Sequence, residues 1–205
     1  MSRFPPELFA RVDESPDAQF YELPRFALHV DDATIAALTA LYREELPPNC
    51  RILDLMSSWV SHLPSDVSYA HVAGLGMNRA ELDANPRLDE RVVQDLNAKP
   101  ALPWPDASFD SVLCAVSVQY LVRPVEVFAE VARVLRDGGK LLVATSHRLF
   151  PTKAIAAWRS LPADDRLRLV GAYLAQAGGF ANARVIDRSP PGADPLWVVA
   201  AERLR

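Results

Sequence analysis

The sequence predicts an α/β fold: a doubly wound, mostly parallel sheet of seven strands, closed at its C-terminal end by an antiparallel hairpin. Three observations predict it. Short apolar runs alternate with helix-period segments up to about residue 177, the pattern of a parallel sheet covered on both faces. The last two apolar runs, 183–187 and 196–202, are joined by only about eight residues, too few for a crossover, so they form a hairpin. The chain has 205 residues, 50% apolar and 23% charged, enough for one sizeable core and one domain.

Residues 1–48 read as an N-terminal arm and helix capping the site, and 49–205 as the α/β core. Residues 1–30 hold Phe4, Pro5, Pro6, Phe9, Phe20, Tyr21, Pro24 and Phe26 without a clear period. They read as an ordered arm lying on the domain, because so many aromatics need burial. In 31–45, Ile35, Leu38, Leu41 and Tyr42 recur at helical spacing; Asp31 or Asp32 caps the start and Pro47-Pro48 ends the helix. Residues 51–56 form a buried strand with Asp54 near its C-terminal end. Residues 69–75 form a second strand, after which Asn78 caps a helix carrying Ala80, Leu82 and Ala84. Residues 90–94 form the third strand, and 98–108, with three prolines, a loop. Residues 109–116, opened by Asp110, form the fourth strand. Pro124 opens a helix running to about Leu135, with Val127, Phe128, Val131, Val134 and Leu135 on one face, and Asp137-Gly138-Gly139 stops it. Residues 140–145 form the fifth strand; 152–160 and 164–177 are helical, and Gly178-Gly179 ends the latter. Pro190-Pro191-Gly192 turns the closing hairpin.

Composition narrows the function. A net charge of -4 disfavours nucleic acid as a partner, since phosphate contacts need a basic surface. Eight glycines against seventeen prolines argue against a glycine-rich phosphate cradle. Cys50 and Cys114 are far apart, which excludes a disulfide framework and a CxxC site. The four histidines, His29, His62, His71 and His147, lack metal-ligand spacing, so no metal is expected. No basic start is followed by an apolar run and no stretch approaches 18 apolar residues, so the expectation is a soluble cytoplasmic protein with no membrane partner.

In a sheet of this kind a ligand binds beyond the carboxyl ends of the strands, beside strand one. There the chain carries Ile52-Leu53-Asp54-Leu55, then Val93-Gln94-Asp95-Leu96, then "LPWPDASFD" (102–110) and "EVARVLRDGGKLLV" (130–143). The order and spacing resemble the class I S-adenosylmethionine-dependent methyltransferases of the small-molecule, type 11-like kind over roughly residues 50–150. The whole chain also resembles a branch of that family in bacteria and plants with "FYxxPRFxxHxD" near the start, "DLxSSWVSHLP" after strand one and "GLGMNxxEL" after strand two. The resemblance implies a methyltransferase-type, Rossmann-like fold, S-adenosylmethionine as cofactor and S-adenosylhomocysteine as product. It implies that Asp54 organises the loop around the cofactor's amino-acid end. Asp95, with Leu96 after it, would accept a hydrogen bond from the adenine amino group. The backbone of Ala115 and Val116 would face the cofactor ammonium. Gln119 falls where many relatives have a histidine.

Two departures stand out. The family's DxGxGxG loop is here Asp54-Leu55-Met56-Ser57-Ser58-Trp59-Val60, with none of its glycines. Glycine there permits φ > 0 and close backbone approach; Ser57 and Ser58 can instead donate hydroxyls to a carboxylate, whereas Trp59 can fill the site. Gly76 stands where the family has an acid for both ribose hydroxyls, with Met77 and Asn78 following; Asn78 can partly substitute.

Of the remaining residues, His29 and His147 border the expected pocket and are candidate bases, with packed or surface histidines as the alternative. His62 either borders the cofactor or caps locally. Arg25, four residues after Tyr21, can pair with a carboxylate of cofactor or substrate, or form a structural ion pair. Tyr21, Arg25, Gln119 and Tyr120 are thus the candidate substrate contacts. Trp59 and Trp104 either meet adenine or sulfonium or pack in the core. Asp54 is alternatively a strand-end cap, and Asp110, at the far end of its strand, is structural.

The leading reading is methyl transfer to a small-molecule acceptor. The alternative is a catalytically inactive methyltransferase-fold binding or scaffold protein, in which Trp59 and Met56 fill the groove. A nucleotide-dependent oxidoreductase is weak, for no GxGxxG opens a helix and no tyrosine has a lysine four residues on. An open pocket lined by Ser57, Ser58 and Asp95 separates the first reading from the second.

Overall fold

The computed structural model describes residues 4–205; the first three residues of the arm lie outside the described residues. The strands are β1 (Arg51–Leu55), β2 (His71–Gly76), β3 (Glu90–Val93), β4 (Phe109–Ala115), β5 (Leu135–Thr145), β6 (Phe180–Asp187) and β7 (Trp197–Arg203). They form one seven-stranded sheet in the order β3-β2-β1-β4-β5-β7-β6. Pairing is parallel from β3 through β5, while β7 runs antiparallel to both β5 and β6. The order reverses between β1 and β4, so the crevice at their carboxyl ends is the natural ligand position.

The helices are α1 (Asp17–Phe20), α2 (Asp32–Glu45), α3 (Arg79–Ala84), α4 (Pro124–Val134), α5 (Ala156–Ser160) and α6 (Ala163–Ala177). Alternate residues of each central strand feed two cores. Leu53, Leu55, Val112, Cys114, Leu141 and Val143 join the α4–α6 side, while Ile52, Leu113, Leu142 and Ala144 join the α2–α3 side. Asp31 caps α2, its Oδ1 accepting from Thr34 N at 2.9 Å, and Asn78 caps α3, its Oδ1 accepting from Glu81 N at 3.1 Å. Among the described residues no helix is long and apolar enough to cross a membrane.

Three local expectations change. Asp137-Gly138-Gly139 does not stop α4. The helix ends at Val134 because buried Leu135 turns extended (φ -75°, ψ 140°) and pairs with Phe109, so β5 begins at Leu135, and Gly138 (φ 75°) sits in the ladder irregularity beside Asp110. The helix expected over 152–160 shortens to α5. The arm takes its first turn, with Asp13 N donating to Thr152 O (2.9 Å) and Ala156 N donating to Ala10 O (2.7 Å). The arm itself is packed over only part of its length. Phe4 and Phe9 lie 5.1 and 6.1 Å from the Tyr173 ring, whereas Leu23, Phe26 and Leu28 are exposed.

Candidate active site

Beyond the carboxyl ends of β1, β2 and β4 lies a cavity of about 300 Å³, walled on one side by the sheet ends and on the other by the arm. Asp54, Ser57, Ser58, Gly76, Asp95 and Val116 line the sheet side.

Asp54 is buried, and its Oδ2 accepts from the hydroxyls of Ser57 and Ser61, each at 2.6 Å. Burial raises its pKa to about 6, against the lowering effect of those two hydroxyls. The loop after β1 is thus held by side-chain hydroxyls in place of glycine compactness. Asn85 Nδ2 secures it further, donating to Ser58 O and Ser61 Oγ, both at 2.9 Å. The backbone still adopts glycine's conformation: Met56 has φ 58°, and at the matching exit of β4 Val116 has φ 48°. Left-handed conformation at non-glycine residues costs about 1–2 kcal/mol each and is rarest for β-branched side chains. Both strained residues line the cavity.

Gly76 also has a geometric explanation. A Cβ there would lie 2.2 Å from the Ser57 carbonyl oxygen, which Ser57 N anchors by donating to Leu75 O at 2.8 Å. The serine loop has moved into the space an acid at position 76 would need. At β3's exit, Asp95 Oδ1 accepts from Asn97 N at 2.8 Å and Ala98 N at 3.3 Å, which turns the chain so that Asp95 and Leu96 line the cavity.

The arm side is aromatic with one guanidinium. Arg25 lies 4.2 Å over Phe20, 5.6 Å from Tyr21 and 5.5 Å from Phe150. Its Nη2 donates to Phe20 O at 2.7 Å, and its Nη1 is buried without a partner among the described residues. Tyr120 stacks on Phe150 at 5.8 Å, and its hydroxyl accepts from Phe150 N at 2.8 Å. Burial raises the pKa of Tyr21 and of Tyr120, so both stay phenolic. His29 packs edge-on against Phe150 at 5.4 Å, and partial burial lowers its pKa. Trp59 lines the cavity against the arm; its Nε1 donates to Ala27 O at 3.2 Å and its ring meets Phe26 edge-on at 6.3 Å.

Several sequence-predicted residues stand elsewhere. His147 is not at the cavity wall; its Nε2 lies 2.9 Å from Asp194, whose Oδ2 accepts from Asp31 N at 3.1 Å, so it anchors the arm-to-α2 junction. Asn78 stands behind the wall, its Oδ1 capping α3 and its Nδ2 donating to Tyr21 O and Glu22 O at 2.9 and 3.0 Å. Gln119 is buried and donates to Val116 O at 2.8 Å, which fixes the strained β4 exit. Trp104 packs on Phe109 at 5.3 Å and donates to Glu90 at 2.9 Å, on the core side. Met77 lines the cavity.

Other wall residues escaped the sequence reading. Glu81, Asp17 and Phe150 line the cavity. His62, left open between two roles, is there too, with its pKa lowered to about 4 by burial and by His29. Glu81 stands within the GLGMNxxEL stretch, one helical turn past Asn78, and that spacing is the sequence signal for it. Asp17 gave no signal, because its partners are far apart in sequence. Its Oδ1 meets Arg11 (2.6 Å) and Lys153 (3.3 Å), and its Oδ2 accepts from Asn97 Nδ2 (2.8 Å).

A family model described as a methyltransferase domain matches residues 57–143. The chain is 32% identical over 150 residues to the 27-O-demethylrifamycin SV methyltransferase of Amycolatopsis mediterranei (strain S699), covering 64% of this chain and 53% of that protein; it spans about half the length of that relative. Among solved structures, an S-adenosylmethionine-dependent methyltransferase from Mesorhizobium loti aligns with TM-score 0.57 and 19% identity over 82% of this chain and 98% of that one. The cyclase SpnF aligns with TM-score 0.60 and 16% identity over 82% and 80%. At such identities the likeness concerns the fold alone, and one fold hosts several chemistries. The family match, by contrast, runs from Ser57 into β5 and takes in Ser57, Ser58, Gly76, Asp95 and Val116 of the sheet wall, while β1 and Asp54 precede it. Motif order, strand order and that match agree on a methyltransferase domain over residues 57–143, set in a Rossmann-like methyltransferase fold.

Proposed function

We propose that this protein transfers a methyl group from S-adenosylmethionine to a small-molecule acceptor by in-line displacement. The open cavity carries this reading. Met56 and Trp59, which would fill a dead site, leave about 300 Å³ between Asp54, Ser57, Ser58 and Asp95 on one side and Arg25 and His29 on the other. A net charge of -4 and an aromatic, arm-covered entrance favour a small molecule over a nucleic acid.

The residues present fit the cofactor. Asp54 is a buried carboxylate in no ion pair among the described residues, with only hydroxyl donors, so it lacks the cation that an amino-acid ammonium would supply. Asp95 Oδ2 accepts nothing from the described residues, which supports a role as acceptor for the adenine amino group. Bound there, the sulfonium supplies an activated methyl group. The protein's own part is positioning and exclusion of water. The arm covers the chamber, Tyr21, Tyr120 and Phe150 orient an apolar acceptor, and Arg25 holds a carboxylate. His29 and His62, both below the ordinary imidazole range, are unprotonated at pH 7 and can accept the proton of an acceptor hydroxyl or amine.

Calorimetric titration with S-adenosylmethionine and S-adenosylhomocysteine, with NADH as control, tests the reading. Micromolar binding of the first two alone is the expected result, followed by an acceptor screen. A folded sample that binds neither up to millimolar concentration returns the protein to the class of binding modules.

A further inference from the structure

We propose that Glu81 is the ribose ligand of this chain and that it replaces, from α3, the acid that β2 has no room to carry; the assignment rests on the cofactor reading above. The position at the end of β2 is Gly76, and the Ser57 carbonyl lies 2.2 Å from where its Cβ would be, so no side chain can stand there without breaking the serine loop. A nucleoside bound beside β1 and β2 would bring two vicinal hydroxyls, and two donors in that arrangement call for a two-oxygen acceptor.

Glu81 is the carboxylate that meets this need. It follows β2 by one turn of α3, lines the cavity beside Gly76 and Met77, and is buried. Its Oε2 accepts from Ser58 Oγ and its Oε1 from Arg25 N, each at 2.6 Å. These two bonds orient the carboxylate and leave each oxygen a second lone pair. Glu81 forms no ion pair among the described residues, so its charge is held by neutral donors alone. A buried carboxylate with neutral donors and spare acceptor capacity is suited to hydroxyl ligands. The same bonds join the serine loop to the strap of arm over the cavity, so a bound ribose would be sensed by both walls.

The test is calorimetric titration of the full chain with S-adenosylhomocysteine and with its 2′,3′-dideoxy analogue. Wild type is expected to bind the natural product about 30-fold more tightly, the scale of charge-assisted hydrogen bonds. In Glu81→Gln that preference should collapse to within about 3-fold, because the natural product loses affinity and the dideoxy analogue keeps its own. Ser58→Ala, which loosens the loop but leaves the carboxylate, should weaken both ligands alike and keep the preference. Equal weakening of both ligands in Glu81→Gln, or a wild type indifferent to the hydroxyls, would overturn the assignment. A wild type that binds neither ligand defeats the cofactor reading itself, and a circular dichroism melt of each variant identifies one that has merely unfolded.

Discussion

The two walls of the cavity are held by different physics. The sheet wall is set by strand register, buried hydroxyl-to-carboxylate bonds and left-handed backbone at Met56, His62 and Val116. The arm wall lies over the site through a few long-range bonds and aromatic contacts, and it leaves Leu23, Phe26 and Leu28 in solvent. Such a segment opens at lower free energy than the core strands. On the proposed function the walls have different tasks: the sheet side would hold the cofactor, and the arm side would meet the acceptor. Changes on the sheet wall should therefore alter global stability and cofactor affinity, and changes on the arm wall should alter local opening and acceptor use.

The largest effect belongs to the tightest contact. Gly76→Ala drives a methyl group into the Ser57 carbonyl, a backbone atom that cannot yield without loss of the Ser57–Leu75 bond. It should destabilise by about 3 kcal/mol in urea unfolding and weaken S-adenosylhomocysteine binding in the same variant. An unchanged midpoint would show that the loop is not seated as described.

Asp54 and His62 give the next effect, and its sign depends on pH. Asp54 has a folded pKa of about 6, above its unfolded value, so its stabilising contribution is present below about pH 4 and is lost as pH rises toward 6. His62 has a folded pKa of about 4, below its unfolded value, so its contribution is full above about pH 6.5 and is lost as pH falls toward 4. In wild type the two slopes oppose each other across this window. Asp54→Asn should expose the histidine slope, with stability rising by up to about 1.4 kcal/mol per pH unit from pH 4 to 6. The same variant should be about 2 kcal/mol more stable than wild type at pH 8, because an unpaired buried charge is gone, and should bind the cofactor more weakly. Wild-type cofactor affinity should fall below about pH 6, as protonation removes the partner of the ammonium. An Asp54→Asn chain no more stable than wild type at pH 8 would remove the argument for an unpaired charge.

Asp17→Asn tests the other wall. It takes one counter-charge from Arg11 and from buried Lys153, while Asp13 at 3.2 Å and Ser15 O at 2.6 Å still hold the lysine. The expected loss is about 2 kcal/mol, confined to the arm. Hydrogen exchange should quicken over residues 4–30 and at 95–97, which Asn97 ties to Asp17, while β1 and β4 keep their protection. Uniform quickening across the sheet would mean that the arm is part of the global folding unit.

The contrast between the walls also explains what could be read from sequence. The strands and their order rest on local apolar alternation, as in 51–55 and 109–115, and the closing hairpin on connection length. Asp54 and Asp95 were legible because an acid at a strand's carboxyl end is a local signal. The arm wall was not, because its bonds join residues far apart in sequence: Lys153 to Ser15, Asn97 to Asp17, Arg25 to Glu81. The same cause shortened α5, whose expected first turn is bonded to the arm. His147 was placed by proximity in sequence to β5's exit, but its direction is set by Asp194, across the sheet in β7's approach.

The left-handed residues of the sheet wall differ in what their side chains touch. Val116 and Met56 share a left-handed backbone, but only Met56 packs against the core. Val116→Gly relieves strain of about 1–2 kcal/mol and gives back about 0.5–1 kcal/mol to the unfolded chain's entropy, so it should stabilise by up to about 1 kcal/mol. Met56→Gly relieves similar strain and forfeits packing as well, so it should gain nothing or lose. If strain at the β4 exit serves to aim backbone at the cofactor, Val116→Gly should be the more stable protein and the weaker binder. A variant that gains stability and keeps full affinity would show that the strain at Val116 is incidental to the site.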